Sequence, residues 1–229
     1  RGVTSSCGSA DVLEALGVRL VSEVKTLTRL LEDTGLTFMF AQHHHPAMRH
    51  VIGVRKALGV RTVFNLLGPL TNPAGAQRQM IGLYDWNCSA AVADALVLLG
   101  VELAYLVHAR EGLDEISPVG LTDVIEIKEG STRRLTWGPA DFGLRALEPN
   151  SLTCGGDVGA NARILREALS DASSPRALAL VPNAACALLL AGLVTDLPSG
   201  AELALATIKS GRAEAKLDEY ARATHEVAV

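Results

Sequence analysis

Apolar positions recur along this chain in two rhythms, one helical and one extended. After Ser22 the run EVKTLTRLLED places Val24, Leu27, Leu30 and Leu31 on one side of a helix over 23–33. Ser22 serves as its cap and Gly35 as its stop. Pro46 opens a further helix through AMRHVIGVRKAL to Gly59, at a position where its missing N–H costs nothing. At about 100° per residue, Ala47, Val51, Val54 and Leu58 form the apolar arc of that helix, extended by Met48 and Ile52. From residue 61 the G-P, N-P and P-A-G elements predict a long, turn-rich loop. QMIGLY (79–84) and LAYLVHA (103–109) read as strands around a helix over 90–99 that Gly100 stops. A strand, helix and strand of these lengths imply a right-handed crossover and parallel pairing. VIEIK (124–128) and TRRLTW (132–137), joined by Glu129-Gly130-Ser131, predict a hairpin at the sheet edge, and helices follow from Asn161.

Composition narrows this α/β picture. Hydrophobic residues make up 48% of the chain and aromatics 4%, so the core is built from Ala, Val, Leu and Ile. A length of 229 residues fits one large domain, or one domain with a small appendage. The net charge of −4 argues against a general nucleic-acid binder, which needs a basic face to displace counterions. Cys7, Cys88, Cys154 and Cys186 are far apart with no C-x-x-C pair, as expected of reduced thiols in a cytoplasmic protein. No apolar run reaches the length of a membrane span; Arg176, Pro182 and Asn183 break the alanine-rich stretch that comes nearest.

Three features carry candidate chemistry. Arg55 falls inside the apolar arc of its helix, between Val51 and Met48, where a buried guanidinium requires an anionic partner. A structural carboxylate and a ligand both meet that need. Asp114 and Glu115 stand in the loop after LAYLVHA, beyond the carboxyl end of a strand, where open α/β sheets bind ligands. Such a pair is either a solvated acidic dipeptide or two hard oxygen donors for Mg²⁺. The triplet His43, His44 and His45 makes a poor metal site, because consecutive side chains cannot converge on one ion. His45 and His50 also miss helical spacing.

Longer motifs add a resemblance. The opening RGVTSSCGSADVLEALG, the block from FMFAQHHHPAMRHV through RTVFNLLGPLTNPAG, and GLDEISP resemble anthranilate phosphoribosyltransferases. So do DFGL (141–144), GGD (155–157) with Asn161, NAA (183–185) and the terminal IKSGRAEAKLDE. The resemblance covers essentially the whole chain. It implies transfer of the phosphoribosyl group of 5-phosphoribosyl 1-diphosphate (PRPP) to anthranilate, with release of pyrophosphate, in tryptophan biosynthesis. It assigns Asp114 and Glu115 to Mg²⁺, Arg55 and His45 to anthranilate, and Arg1, Gly2, Val3, Thr4, Ser5 and Ser9 to PRPP. The residues themselves offer no dedicated catalytic base, and an aromatic amine does not require one.

The fold implied is that of the nucleoside phosphorylase-like transferases, with a mostly parallel sheet flanked by helices and part of a small helical domain. Residues 1–11 and 61–229 are expected to form the catalytic α/β domain, and 12–60 the helical domain and hinge. A homodimer is expected of the full-length protein. The family's glycine-rich G-T-G-G-D loop and its K-H-G-N are absent from this sequence, and GGD at 155–157 does not replace the former. The expectation is therefore a C-terminal portion that does not turn over substrate alone. Ser6 and Cys7 stand where Lys-Ser is common, and Pro182 is expected to interrupt a helix. A pyrimidine nucleoside phosphorylase-like transferase and a non-catalytic, nucleic-acid-binding relative are the alternatives.

Overall fold

The computed structural model describes residues 7–44, 64–152 and 154–227. The helix expected from Pro46 to Gly59 therefore lies outside the described residues. The chain forms two compact units, one of Arg61–Leu152 with Ala172–Ala206, the other of Arg1–Val60, Thr153–Asp171 and Thr207–Val229.

The first of these units holds the sheet. Strand β1 (Arg78–Gly82) pairs in parallel with β2 (Leu103–Ala109), β2 pairs antiparallel with β3 (Thr122–Lys128), and β3 pairs antiparallel with β4 (Ser131–Trp137). The α/β class agrees with the sequence, but the described strands make a mixed sheet instead of a mostly parallel one. The reason lies after β2. The connection over 110–121 is made of turns and contains no crossover helix, and β3 returns antiparallel to β2. Glu129 and Gly130 close the β3–β4 hairpin, both at positive φ (49° and 77°), as a two-residue turn of this twist requires. On β4, exposed Arg133 and Arg134 discourage pairing with another chain at the sheet edge.

Alternation along β2 feeds two cores. Ala104 and Leu106 join Val92, Ala93 and Leu96 of the crossover helix (Ser89–Leu98) on one face. Tyr105 and Val107 join Val181, Ala185 and Cys186 on the other. The turn-rich segment before β1 contains a helix, Phe64–Leu70, which the sequence did not predict. Leu66 and Leu70 pack onto the first core, so burial prevails over the Gly-Pro signal.

The helix Pro175–Leu190 runs unbroken through Pro182, contrary to expectation. A proline there removes one backbone hydrogen bond, yet Pro182, Val181, Ala185 and Cys186 are fully buried and hold the segment in place. Burial raises the Cys186 thiol pKa to about 12, making it an inert core residue. Cys88, Cys154 and Cys186 are free thiols.

The second unit is helical. Ser9–Ala15 packs on Val158–Ser170, and Val24–Thr34 packs on Arg212–Glu226. Their core includes Val18, Leu30, Leu217 and Tyr220, and the Tyr220 hydroxyl accepts from the Phe38 N–H at 2.8 Å. The helix expected over 23–33 begins at Val24, with Glu23 in place of Ser22 at the cap position and Gly35 ending it at φ 74°. Its buried stripe is Leu27, Leu30 and Thr34, whereas Val24 and Leu31 are exposed. No single helix among the described residues is long and apolar enough to cross a membrane.

Candidate active site

The parallel β1–β2 pair ends with Gly82 beside Val107, and its ladder continues one residue further through Leu83 N–H to Val107 O at 2.9 Å. The His108 ring is fastened to the same place by Nδ1 at 2.7 Å from Leu83 O, with the Trp86 indole stacked on it. Beyond Ala109 the chain turns sharply. Gly112 N–H bonds Ala109 O at 2.8 Å, and Ala109 N–H bonds Leu113 O at 2.9 Å. Gly112 takes φ +100°, a conformation that side chains with a Cβ rarely adopt. Asp114 and Glu115 follow, exposed at the carboxyl end of the parallel strands.

The loop around the two carboxylates is held from several directions. The buried Ser117 accepts through Oγ from the N–H groups of Val119 (3.0 Å) and Gly120 (2.7 Å), and donates to the Glu111 carboxylate. Its own N–H donates to Thr122 Oγ1 at 2.9 Å. The residue before it, Ile116, has both of its backbone polar groups bound by the amide of Asn183, with Ile116 N–H to Oδ1 at 3.0 Å and Nδ2 to Ile116 O at 3.2 Å. Against β1, a Cβ on Gly82 would fall 1.7 Å from the Asp114 carbonyl oxygen, so only glycine allows this approach. Glu111 thus serves the loop internally, and the next two acids face outward.

Glu115 has its pKa raised, first by the surrounding protein, which disfavours its charged form, and then by the negative charge of Asp114. A cation between the two carboxylates would relieve that repulsion. Among the described residues no three His, Cys, Asp or Glu side chains form a protein-only metal cage. Two carboxylates without a cage suit Mg²⁺, which retains waters and is shared with substrate phosphates. The donor set therefore fits the ion that the sequence suggested.

The remaining sequence-derived residues divide by location. Ser9 is exposed at the start of its seven-residue helix, in the helical unit, where the Asp11 carboxylate accepts the Gly8 N–H at 3.0 Å. Arg1, Gly2, Val3, Thr4, Ser5, His45 and Arg55 lie outside the described residues. GGD at 155–157 is structural: Asp157 Oδ1 caps its helix by accepting from Ala160 N–H at 2.7 Å, and Asn161 Oδ1 accepts the Gly155 N–H at 2.9 Å. From the sequence, Gly82 has no role beyond its strand, and Asn183 has none beyond breaking an apolar stretch and opening the NAA motif. Their signals were a glycine inside a strand and a lone amide inside an apolar helix.

Residues 1–214 match the α/β domain of a glycosyl transferase family. The chain is 45% identical to anthranilate phosphoribosyltransferases of Azorhizobium caulinodans and Rubrobacter xylanophilus; each alignment covers 100% of it, and 66% and 67% of the respective relatives. The crystal structure of the Thermus thermophilus enzyme matches at a TM-score of 0.88 and 38% identity, covering 98% of this chain and 67% of that one. The Saccharomyces cerevisiae enzyme in complex with PRPP and Mg matches at 0.84 and 30% identity, covering 96% and 64%. The chain thus spans about two thirds of the length of these relatives. With its carboxylate loop, its fold and this likeness over its full length, the chain belongs to the anthranilate phosphoribosyltransferase family.

Proposed function

We propose that this chain carries the catalytic α/β portion of an anthranilate phosphoribosyltransferase, which joins anthranilate to PRPP. The observation that carries this reading is the outward-facing Asp114–Glu115 pair at the end of the parallel strands, within a chain similar to such enzymes throughout. The anthranilate amine attacks C1 of the ribose, the new N–C1 bond replaces the bond to diphosphate oxygen, and the amine proton passes to solvent. Asp114 and Glu115 would hold Mg²⁺, which when bound neutralises charge on the departing pyrophosphate. The S. cerevisiae relative's complex with PRPP and Mg supports that assignment.

Arg1, Gly2, Val3, Thr4, Ser5 and Ser9 are assigned to PRPP. Arg55 is assigned to the anthranilate carboxylate, where its planar fork fits a benzoate better than lysine would, and His45 to the same pocket. Catalysis then rests on positioning and leaving-group stabilisation. The segment 12–60 is assigned to the small helical domain, the whole protein to a cytoplasmic homodimer, and its partners to these two small molecules, without nucleic acid. The test is loss of anthranilate fluorescence on adding PRPP and Mg²⁺ to the complete gene product. Consumption of anthranilate is expected. Phosphorolysis of thymidine without it would instead favour the nucleoside phosphorylase alternative.

A further inference from the structure

We infer that Asn183 is a positioning residue for the Asp114–Glu115 pair; the inference rests on the metal-binding role proposed for those two acids. Asn183 stands in the middle of a long apolar helix, one residue after Pro182, and its side chain leaves the helix to bind the backbone N–H and C=O of Ile116. Both of its polar atoms are used there, one accepting and one donating, at 3.0 and 3.2 Å. Two bonds to the N–H and C=O of one residue fix that residue's backbone orientation, which a single bond would leave free to rotate. Ile116 follows Glu115 directly, so the clamp sets the direction from which the Glu115 side chain leaves the backbone.

The opposite end of the pair has its own stop. Gly82 lets the Asp114 carbonyl sit where a Cβ would be, only 1.7 Å away from that oxygen. The two acids are therefore stretched between the end of β1 and the helix Pro175–Leu190, although their side chains are exposed. Residue chemistry at 183 is narrowly defined. Aspartate would lose the donor to Ile116 O, glutamine would be one methylene too long, and an apolar residue would leave both Ile116 groups unmatched. The helix is anchored in turn by Val181 and Ala185, both fully buried against the sheet. The apolar core thereby fixes the carboxylates through one side-chain amide.

The experiment is Mn²⁺ titration followed by electron paramagnetic resonance on the full chain, with thermal melting in parallel. Asn183→Ala is expected to weaken Mn²⁺ binding by about ten- to a hundredfold, the range for residues that orient metal ligands. Asn183→Leu, which keeps the volume, gives the same reading if the alanine variant does not fold. Val181→Ala, on the same helix but away from the clamp, is expected to lower the melting temperature and leave Mn²⁺ affinity intact. Wild-type affinity in the folded Asn183 variant overturns the inference. So does an equal loss in Val181→Ala, which would make the effect one of general stability. Wild-type Mn²⁺ binding that survives Asp114→Asn with Glu115→Gln would instead overturn the metal reading beneath it.

Discussion

Two loops of this molecule use the same residue types for opposite purposes. In the helical unit, Gly155, Asp157 and Asn161 form a closed set: the aspartate caps its helix and the asparagine ties down Gly155. In the sheet unit, Gly82, Asp114 and Asn183 are arranged around a loop in the same way, with glycine for close approach and asparagine for a backbone clamp. The difference is in the acid. Asp157 accepts a hydrogen bond from the Ala160 N–H of the helix it caps, whereas the scaffolding in the other loop is done by Glu111, Ser117 and Asn183. Asp114 and Glu115 are left outward and crowded. A carboxylate becomes available for chemistry when its neighbours take over the structural work.

That contrast can be broken at the acids themselves. Asp114→Asn is expected to reduce PRPP-dependent turnover of the complete protein roughly a hundredfold, as for loss of one charge-stabilising group, with melting little changed. Steady-state kinetics and calorimetry on one preparation check both halves. Asp157→Ala should do the reverse. It removes a helix cap, costing about 1 kcal/mol of stability in denaturant unfolding, and leaves Mn²⁺ affinity unaltered. If Asp157→Ala abolished metal binding, the two loops would not be separable in function.

The smallest effect concerns Glu115. Its folded-state pKa is raised by the surrounding protein and by Asp114, so the folded protein holds this proton more tightly than the unfolded chain does. The resulting cost is absent below the unfolded carboxyl pKa. It grows as pH rises through the window up to the folded value, and is complete above it. Glu115→Gln should therefore stabilise the metal-free protein slightly at neutral pH, by less than about 1 kcal/mol because the group is exposed. The gain should vanish near pH ~4. Melting in chelator across that range measures it. A constant difference at all pH values would remove the electrostatic explanation.

Much of the fold was legible because local patterns carried it. Gly35 and Gly100 stop their helices at φ 74° and 72°, and Glu129-Gly130 makes the hairpin turn. Where the sequence misled, burial was the cause. Pro182 stays inside a helix because the surrounding core holds it there. Phe64–Leu70 is helical despite Gly68 and Pro69 because Leu66 and Leu70 reach the first core. Val24 and Leu31 share the apolar side of their helix with Leu27 and Leu30, but only the latter two are buried.

By itself the sequence determined the α/β class, the family resemblance and the identity of the two outward acids, since each depends on neighbouring residues or on motifs. Tertiary structure alone decided what holds those acids in place. Gly82 and Asn183 are separated from Asp114 by 32 and 69 residues, and no local periodicity can register an approach of that kind. A glycine in a strand and an asparagine in a helix look like weak points when read along the chain. In the folded protein each occupies a place that side-chain volume and hydrogen-bonding capacity leave to almost nothing else.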